Sequence, residues 1–407
     1  MAQHYLIIAD DFTGSNDTGV HIRKRGLPVD VILYPENGWA SGHSMVLDTE
    51  SRNIPAAEAH DKVAKLAGAV LKDESFDLIY KKVDSTLRGN IVQELQAILE
   101  LYKADRVVFA PAFPKIGRTT LNGIQRLKDV PLMETEMAHD PVSPIKTDSI
   151  ISLMESGMSE AVIHHGLTEI RGRNFHLGSG RLHTFDATET TDLLEISRAV
   201  QATGGKTLWV GSAGLAEAIF EQVLPQRPVL AIVGSVSATS QEQMNVAEQH
   251  GIHVVQPVLR DLLVNSRIDS YADAVLGELN DGRDIILTVT RSREDFENSK
   301  AVGDAFQMDP QQVAIQIQTY LGQLTEMVLQ RTSVAGLFLT GGDTSLAVIR
   351  QLQASGCAIQ REVLTGIVQS RLTGGTYDGL PIITKAGAFG APDDLYFCLD
   401  KLKEVLL

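Results

Sequence analysis

Short apolar, β-branched runs recur along this chain, separated by stretches in which apolar positions return every three or four residues. Residues 5–9, 29–33, 45–47, 78–83 and 106–110 read as buried strands, and their alternation with helical segments predicts a largely parallel sheet wrapped by helices. The pattern restarts after Leu224-Pro225-Gln226-Arg227-Pro228, where two prolines bracket a polar tripeptide. A domain boundary is predicted there, giving domains 1–225 and 226–407. In the second half, residues 229–233, 285–289, 336–339 and 381–384 read as strands, with a long helix from about 309 to 331. The expected architecture is two α/β domains with largely parallel sheets and a ligand cleft between them.

Composition narrows the function. The 407 residues include 36 Lys+Arg and 51 Asp+Glu, for a net charge of −15, which disfavours nucleic acid and anionic membrane surfaces as partners. No segment approaches the roughly 18 apolar residues needed to span a bilayer, and the N-terminus lacks the basic flank and apolar length of a signal peptide. The expected location is the cytoplasm. Cys357 and Cys398 are too few for a disulfide framework and lack metal-ligand spacing, so they read as reduced thiols.

Candidate chemistry gathers where strands end, the place where open α/β sheets bind ligands. Ala9-Asp10-Asp11-Phe12-Thr13-Gly14 sets two carboxylates at a strand end, before a helix that Ser15 or Asn16 would cap. Lys81-Lys82-Val83-Asp84-Ser85-Thr86-Leu87-Arg88-Gly89 carries three cations and one carboxylate, an anion site in an acidic chain. Alternation along a strand separates Lys81 from Lys82 and puts Lys82 with Asp84, so Lys82, Asp84 and Arg88 form the inward set, with Ser85 as a cap and hydroxyl donor. A structural Lys82–Asp84 ion pair is the plainer alternative. Thr49-Glu50-Ser51-Arg52 adds a further cation, while the basic, glycine-bearing loop 111–123 reads equally as a lid or domain-contact loop and as a ligand shell.

Three glycine- or serine-bearing turns of the second half suit phosphates: Gly234-Ser235-Val236-Ser237, Thr340-Gly341-Gly342-Asp343-Thr344, and Lys385-Ala386-Gly387-Ala388-Phe389-Gly390. Glycines admit close approach and helix N-terminal amides attract anions. Gly205-Lys206-Thr207 mimics the end of a P-loop but precedes its strand and lacks the first glycine. Gly341-Gly342-Asp343 lacks dinucleotide-fold spacing, although Glu362 lies at the distance of a ribose-binding acid, so a dehydrogenase stays open on that count. The pair His164-His165 has no partner ligands at recognisable spacing and reads as a solvated or loop feature.

Taken in order, the segments at residues 9–14, 81–89, 340–344 and 384–390 resemble the four-carbon acid sugar kinase family over nearly the whole chain. The resemblance implies an N-terminal domain for the acid sugar and a C-terminal domain for ATP, with phosphate passed to the C4 hydroxyl. D-threonate is the expected acceptor; D-erythronate and a 3-oxo-tetronate are the alternatives. It further implies that Asp11, Arg52, Lys82, Asp84 and Ser85 contact the substrate, with Arg88 added from charge and spacing. Ser237, Gly341, Gly342, Asp343, Lys385, Gly387, Ala388, Phe389 and Gly390 would hold the nucleotide.

Phosphoryl transfer asks for alignment and charge neutralisation, with Mg²⁺ bridging the phosphates through ligands the sequence does not identify. The catalytic base is expected to be Asp343, beside the γ-phosphate, or Asp11, near the acceptor. A non-catalytic nucleotide- or metabolite-binding regulator is the rival from another class. A homo-oligomer is compatible with the sequence.

Overall fold

The apolar run Tyr5–Ala9 forms a strand, β1, whose two faces enter different layers. Leu6 and Ile8 pack with Met45, Leu47 and Ile79, whereas Tyr5, Ile7 and Ala9 pack with Val46, Tyr80 and Trp209. Burial on both faces is why the run is continuously apolar. These features come from a computed structural model, which describes residues 3–172, 175–264 and 268–404, and in which the chain divides into two units between Pro225 and Gln226.

In the first unit β1 joins β2 (Val29–Ile32), β3 (Ser44–Asp48), β4 (Leu78–Lys82) and β5 (Arg106–Ala110). A small antiparallel sheet follows, built from β6 (Arg118–Leu121), β7 (Ile124–Leu127) and β8 (Val130–Pro131). Next come β9 (Val162–His165), β10 (Leu182–Phe185) and β11 (Thr207–Gly211). The main sheet is parallel, in the order β2-β3-β1-β4-β11-β5-β10-β9. After β1 the chain runs to the edge strand β2 and returns to β3 on one side, then crosses to β4 on the other. The crevice outside the carboxyl ends of β1 and β4 is therefore a topological switch point.

The second unit repeats this logic with β12 (Val229–Val233), β13 (His253–Val255), β14 (Ile285–Leu287), β15 (Gly336–Thr340), β16 (Gly356–Leu364), β17 (Ile367–Thr373) and β18 (Pro381–Lys385). The order β13-β14-β12-β15-β18-β17-β16 puts the switch point between β12 and β15. Its edge departs from the parallel expectation, because β16 and β17 form an antiparallel hairpin and β17 pairs antiparallel with β18. Glu362 belongs to that hairpin and accepts the Gly366 amide at 2.9 Å, so it is a turn residue and not a ribose-binding acid. The long helix spans Pro310–Leu329, capped by Asp309 in a reciprocal box with Gln312.

Three local expectations are corrected. The cap of the first helix, Phe12–Lys24, is Asp11, which accepts the Gly14 amide, while the Ser15 hydroxyl turns back to the Asp11 carbonyl. Ser85 lies in a turn, and Asn90 occupies the N-cap position of the helix Ile91–Leu101. His164 and His165 are strand residues; His165 is buried, stacks on Phe185 at 4.8 Å, and its Nε2 lies 3.0 Å from His183 Nδ1. Among the described residues no cluster of three metal-ligating side chains exists, and no helix is long and apolar enough to cross a membrane.

Close approach at the second switch point depends on Gly234. A Cβ there would overlap the Thr344 hydroxyl and fall 2.5 Å from Thr344 Cβ, in the first turn of the helix Gly342–Gln351. Gly234→Ala is expected to cost about 1–3 kcal/mol in stability, the usual range for overpacking. Denaturant unfolding of the full chain measures this; an unchanged midpoint would mean that the helix yields freely.

Candidate active site

Asp10 and Asp11 leave β1 in different directions. Asp10 is buried and receives Arg52 in a two-point contact, Nε to Oδ2 at 2.7 Å and Nη2 to Oδ1 at 2.9 Å. The same Nη2 reaches Asp11 Oδ1 at 2.5 Å. Burial alone would raise the Asp10 carboxyl, but Lys81, Arg52 and Lys82 outweigh it and hold the group below its ordinary value. The loop carrying Arg52 is tied to the same strand end: the Ser51 and Arg52 amides both donate to the Asp10 carbonyl, at 3.1 and 3.2 Å.

Lys82, at the end of β4, is 5% exposed and makes no hydrogen bond or ion pair with any described residue. A methyl group on Gly14 would lie 2.6 Å from Lys82 Nζ and 2.5 Å from Asp11 Oδ1, so the ammonium and the carboxylate stand over one bare stretch of backbone. Burial pushes the Lys82 ammonium below its usual range, against the pull of Asp10, Asp11 and Asp84. The Lys82–Asp84 pair does not form. Asp84 instead accepts Arg88 Nε and the Thr86 hydroxyl, each at 2.5 Å, and Arg88 reaches on to Asp140 at 3.3 Å. The Ser85 hydroxyl has no partner among the described residues, while its carbonyl accepts Gln125 Nε2 at 2.7 Å. The loop 111–123 thus leads into a small sheet that braces the Asp84–Arg88 turn. In that turn Leu87 holds a left-handed φ of 61°, and Glu50 holds one of 43° beside Arg52.

Three participants went unread in the sequence. Gln125 and Asp140 act from a distant segment, and only the fold brings them here. Asp48, the last residue of β3, is buried with Oδ2 unpaired among the described residues, and burial together with Glu50, Asp11 and Asp10 pushes it up to about 6. Its position, an Asp closing an apolar strand like Asp10, was the available signal.

In the second unit the three phosphate-type turns follow adjacent strands and interlock. Gly341, at φ 94°, donates its amide to the Lys385 carbonyl at 3.3 Å and opens the helix Gly342–Gln351. Ser237 caps the helix Ala238–Gln249 and donates its hydroxyl to the Gly387 carbonyl at 2.6 Å, where the Ser240 hydroxyl also donates at 2.8 Å. Lys385 is turned inward, its ammonium donating to the carbonyls of Ala386, Gly387 and Phe389 at 3.0–3.2 Å. It orders the loop of Gly387, Ala388, Phe389 and Gly390 from within. Gly342 and Asp343 are exposed in the first turn of their helix, and the Asp343 carboxylate has no partner among the described residues. Beside this turn lies a cavity walled by Val236, Phe296, Pro310, Val313 and Ile317, with Gln318 and Lys300 as polar members.

A divalent ion would find one free carboxylate here, Asp343, in a described structure without any three-ligand cluster. That fits Mg²⁺, which keeps several waters and binds through one or two carboxylates plus substrate phosphates.

Comparisons with known proteins agree with this division of labour. Residues 5–219 match the family model described as a sugar-binding N-terminal domain, and residues 230–395 match a nucleotide-binding C-terminal domain. The chain is 34% identical to the D-threonate kinase of Salmonella typhimurium, over 98% of each sequence. It is 29% identical to the D-erythronate kinase of Heliobacterium modesticaldum, over 98% of this chain and 96% of that one. With the 3-oxo-tetronate kinase of Pseudomonas fluorescens it shares 27% identity over 95% and 94%. A Bordetella bronchiseptica crystal structure, a domain-swapped dimer with bound citrate, superposes with a TM-score of 0.71 at 28% identity, covering 98% of this chain and 99% of that one. A buried cation beside paired carboxylates in one unit, interlocked glycine turns in the other, and sequence relationship over the full length together make this chain a member of the four-carbon acid sugar kinase family.

Proposed function

We propose that the protein is an ATP-dependent kinase that phosphorylates the C4 hydroxyl of D-threonate to give 4-phospho-D-threonate. Residues 1–225 serve as the acid-sugar-binding domain and residues 226–407 as the nucleotide-binding domain. The observation that carries this reading is Lys82. Of the three cations in the first site, Arg52 and Arg88 are committed to Asp10, Asp11, Asp84 and Asp140, whereas the buried Lys82 ammonium has no counter-charge in contact. An incoming carboxylate supplies one. Asp11 and the Ser85 hydroxyl then face the sugar hydroxyls, and the citrate held by the Bordetella relative is likewise a hydroxy acid. D-threonate is preferred over D-erythronate and 3-oxo-tetronate because one relative so named shares 34% identity, against 29% and 27% for the others, although further D-threonate kinases share 30% and 29%.

In the second domain the amides of the Gly341–Gly342 turn and of the helix after Ser237 receive phosphate, and the apolar cavity takes the base. Mg²⁺ supplies charge neutralisation on the phosphates when bound. Asp343 is favoured over Asp11 as the base, because Asp11 is engaged by Arg52 and by a helix amide while Asp343 is free. The domain-swapped relative supports a homo-oligomer, which sedimentation of the purified chain would read.

The decisive assay offers D-threonate, D-erythronate and 3-oxo-tetronates with ATP and Mg²⁺ and follows the product by mass. Preferential conversion of D-threonate is expected; conversion of another acid would replace the acceptor, and binding of both ligands without turnover would favour the regulator. Lys82→Met should raise KM for the acid sugar about 10–100-fold, the worth of a hydrogen bond to a charged group, with KM for ATP within about twofold. An unchanged acid-sugar KM would remove Lys82 from the site.

A pH profile adds an independent check. Only the charged ammonium attracts a carboxylate, and burial lowers its pKa, so the charge is lost at a pH below the ordinary lysine value of 10.5. KM for the acid sugar should therefore climb on the alkaline side before that value, and Lys82→Arg should move the climb to higher pH. Asp343→Asn should cut kcat about 100-fold or more while leaving acid-sugar KM within about threefold, and a loss that excess Mg²⁺ does not restore marks a general base and not a Mg²⁺ ligand. A near-normal kcat would transfer the role to Asp11.

A further inference from the structure

The cation on the opposite face of β4 helps to hold Asp10 ionised and is in contact with a second carboxylate. Lys81 is fully buried and its Nζ lies 2.6 Å from Glu94 Oε2, on the helix Ile91–Leu101, where Glu94 is 1% exposed. The other oxygen of Glu94 accepts the Ser51 hydroxyl at 2.7 Å. Ser51 is itself buried and sits 2.7 Å from the Thr49 hydroxyl, which donates to the Ala9 carbonyl at 2.7 Å. One helical turn earlier, Asn90 donates to the carbonyls of Ser51 and Ile54 at 2.9 and 2.8 Å. Glu94 and Asn90 thus grip the loop 49–54 from beneath, by side chain and by main chain.

That loop needs a grip. Glu50 holds a left-handed φ of 43°, which a residue with a side chain leaves unless its surroundings fix it. Directly after Ser51 stands Arg52, whose guanidinium spans Asp10 and Asp11. A buried ion pair is weak evidence for stability, since hydrophobic replacements of similar volume are often as stable. Its retention calls for a role that apolar residues would not fill, and the hydroxyl it receives belongs to the loop of the substrate-side arginine.

We infer that Glu94, neutralised by Lys81, is a positioning residue of the acid-sugar site: through Ser51 it fixes the loop that places Arg52 against Asp10 and Asp11. The inference rests on the acid-sugar reading of the first unit. Arg52 in this register keeps the two carboxylates engaged and leaves Lys82 uncommitted; a slack loop would let Asp11 turn to Lys82 and compete with the incoming carboxylate.

Two double variants separate the hydrogen bond from the charge. Lys81→Met/Glu94→Gln removes both charges and keeps an oxygen for the Ser51 hydroxyl, whereas Lys81→Met/Glu94→Leu removes the charges and the acceptor. Both forms lose the Lys81 charge that helps to hold Asp10, so the contrast is read between them: the Leu form should have an acid-sugar KM about tenfold above that of the Gln form, with KM for ATP unmoved in both. Equal acid-sugar KM in the two forms, with differences confined to thermal stability, would overturn the inference. If either double variant fails to fold, Ser51→Ala, which leaves the ion pair in place, reads the same contrast: a raised acid-sugar KM at normal ATP KM supports positioning, and a normal one refutes it. The parent enzyme assayed alongside keeps the two claims apart. If it phosphorylates no four-carbon acid, the kinase reading fails by itself; calorimetric titration of D-threonate into the parent then tests acid-sugar binding, and relative affinity in the variants decides the positioning role.

Discussion

Asp10 is a buried carboxylate, and the first unit is arranged around its compensation. A charge removed from water must be met by opposite charge and donors. Arg52 meets it with two nitrogens, which requires the loop after β3 to curl over the end of β1 and hold Glu50 in an unfavourable conformation. Gly89 keeps the neighbouring turn close, since a Cβ there would sit 3.1 Å from Arg52 Cγ and 3.4 Å from Asp10 Oδ2. Once Arg52 and Arg88 are both committed, Lys82 is left without a contact partner among the described residues, and the proposed carboxylate of the substrate is the group that would meet it.

The sequence was informative about what repeats and silent about what converges. Continuous apolar runs revealed the parallel strands because burial on both faces leaves no polar positions in them, as in Tyr5–Ala9 and Val229–Val233. The residues at strand ends were legible for the same reason: a charge that interrupts such a run marks where the sheet opens. Asp11 and Lys82 were singled out in this way and Gly341 by its glycine turn, and each lies at or just after a strand end beside a switch point.

What stayed hidden depends on partners distant in sequence. His165 reads as polar, yet it is buried between Phe175, His183 and Phe185, since an imidazole with both nitrogens engaged is a tolerable interior group. Strand alternation separated Lys81 from Lys82, but that Lys81 meets Glu94 while Lys82 meets no described partner depends on elements distant in sequence. The antiparallel β16–β17 edge escaped notice because its exposed face breaks the apolar continuity by which the other strands were recognised. Ser15 and Asn16 are good capping residues by type, but Asp11 was nearer the true helix start and took the position.

Lys385 closes its own loop by giving its ammonium to three carbonyls. The turns after β12, β15 and β18 therefore present main-chain amides and hydroxyls, with the lysine charge withdrawn behind them. A surface of dipoles holds an anion by fit more than by long-range pull, because a dipole's field decays faster with distance than that of a charge. An anion received there would leave without breaking an ion pair to Lys385, and the contacts by which that lysine shapes the loop are internal to it.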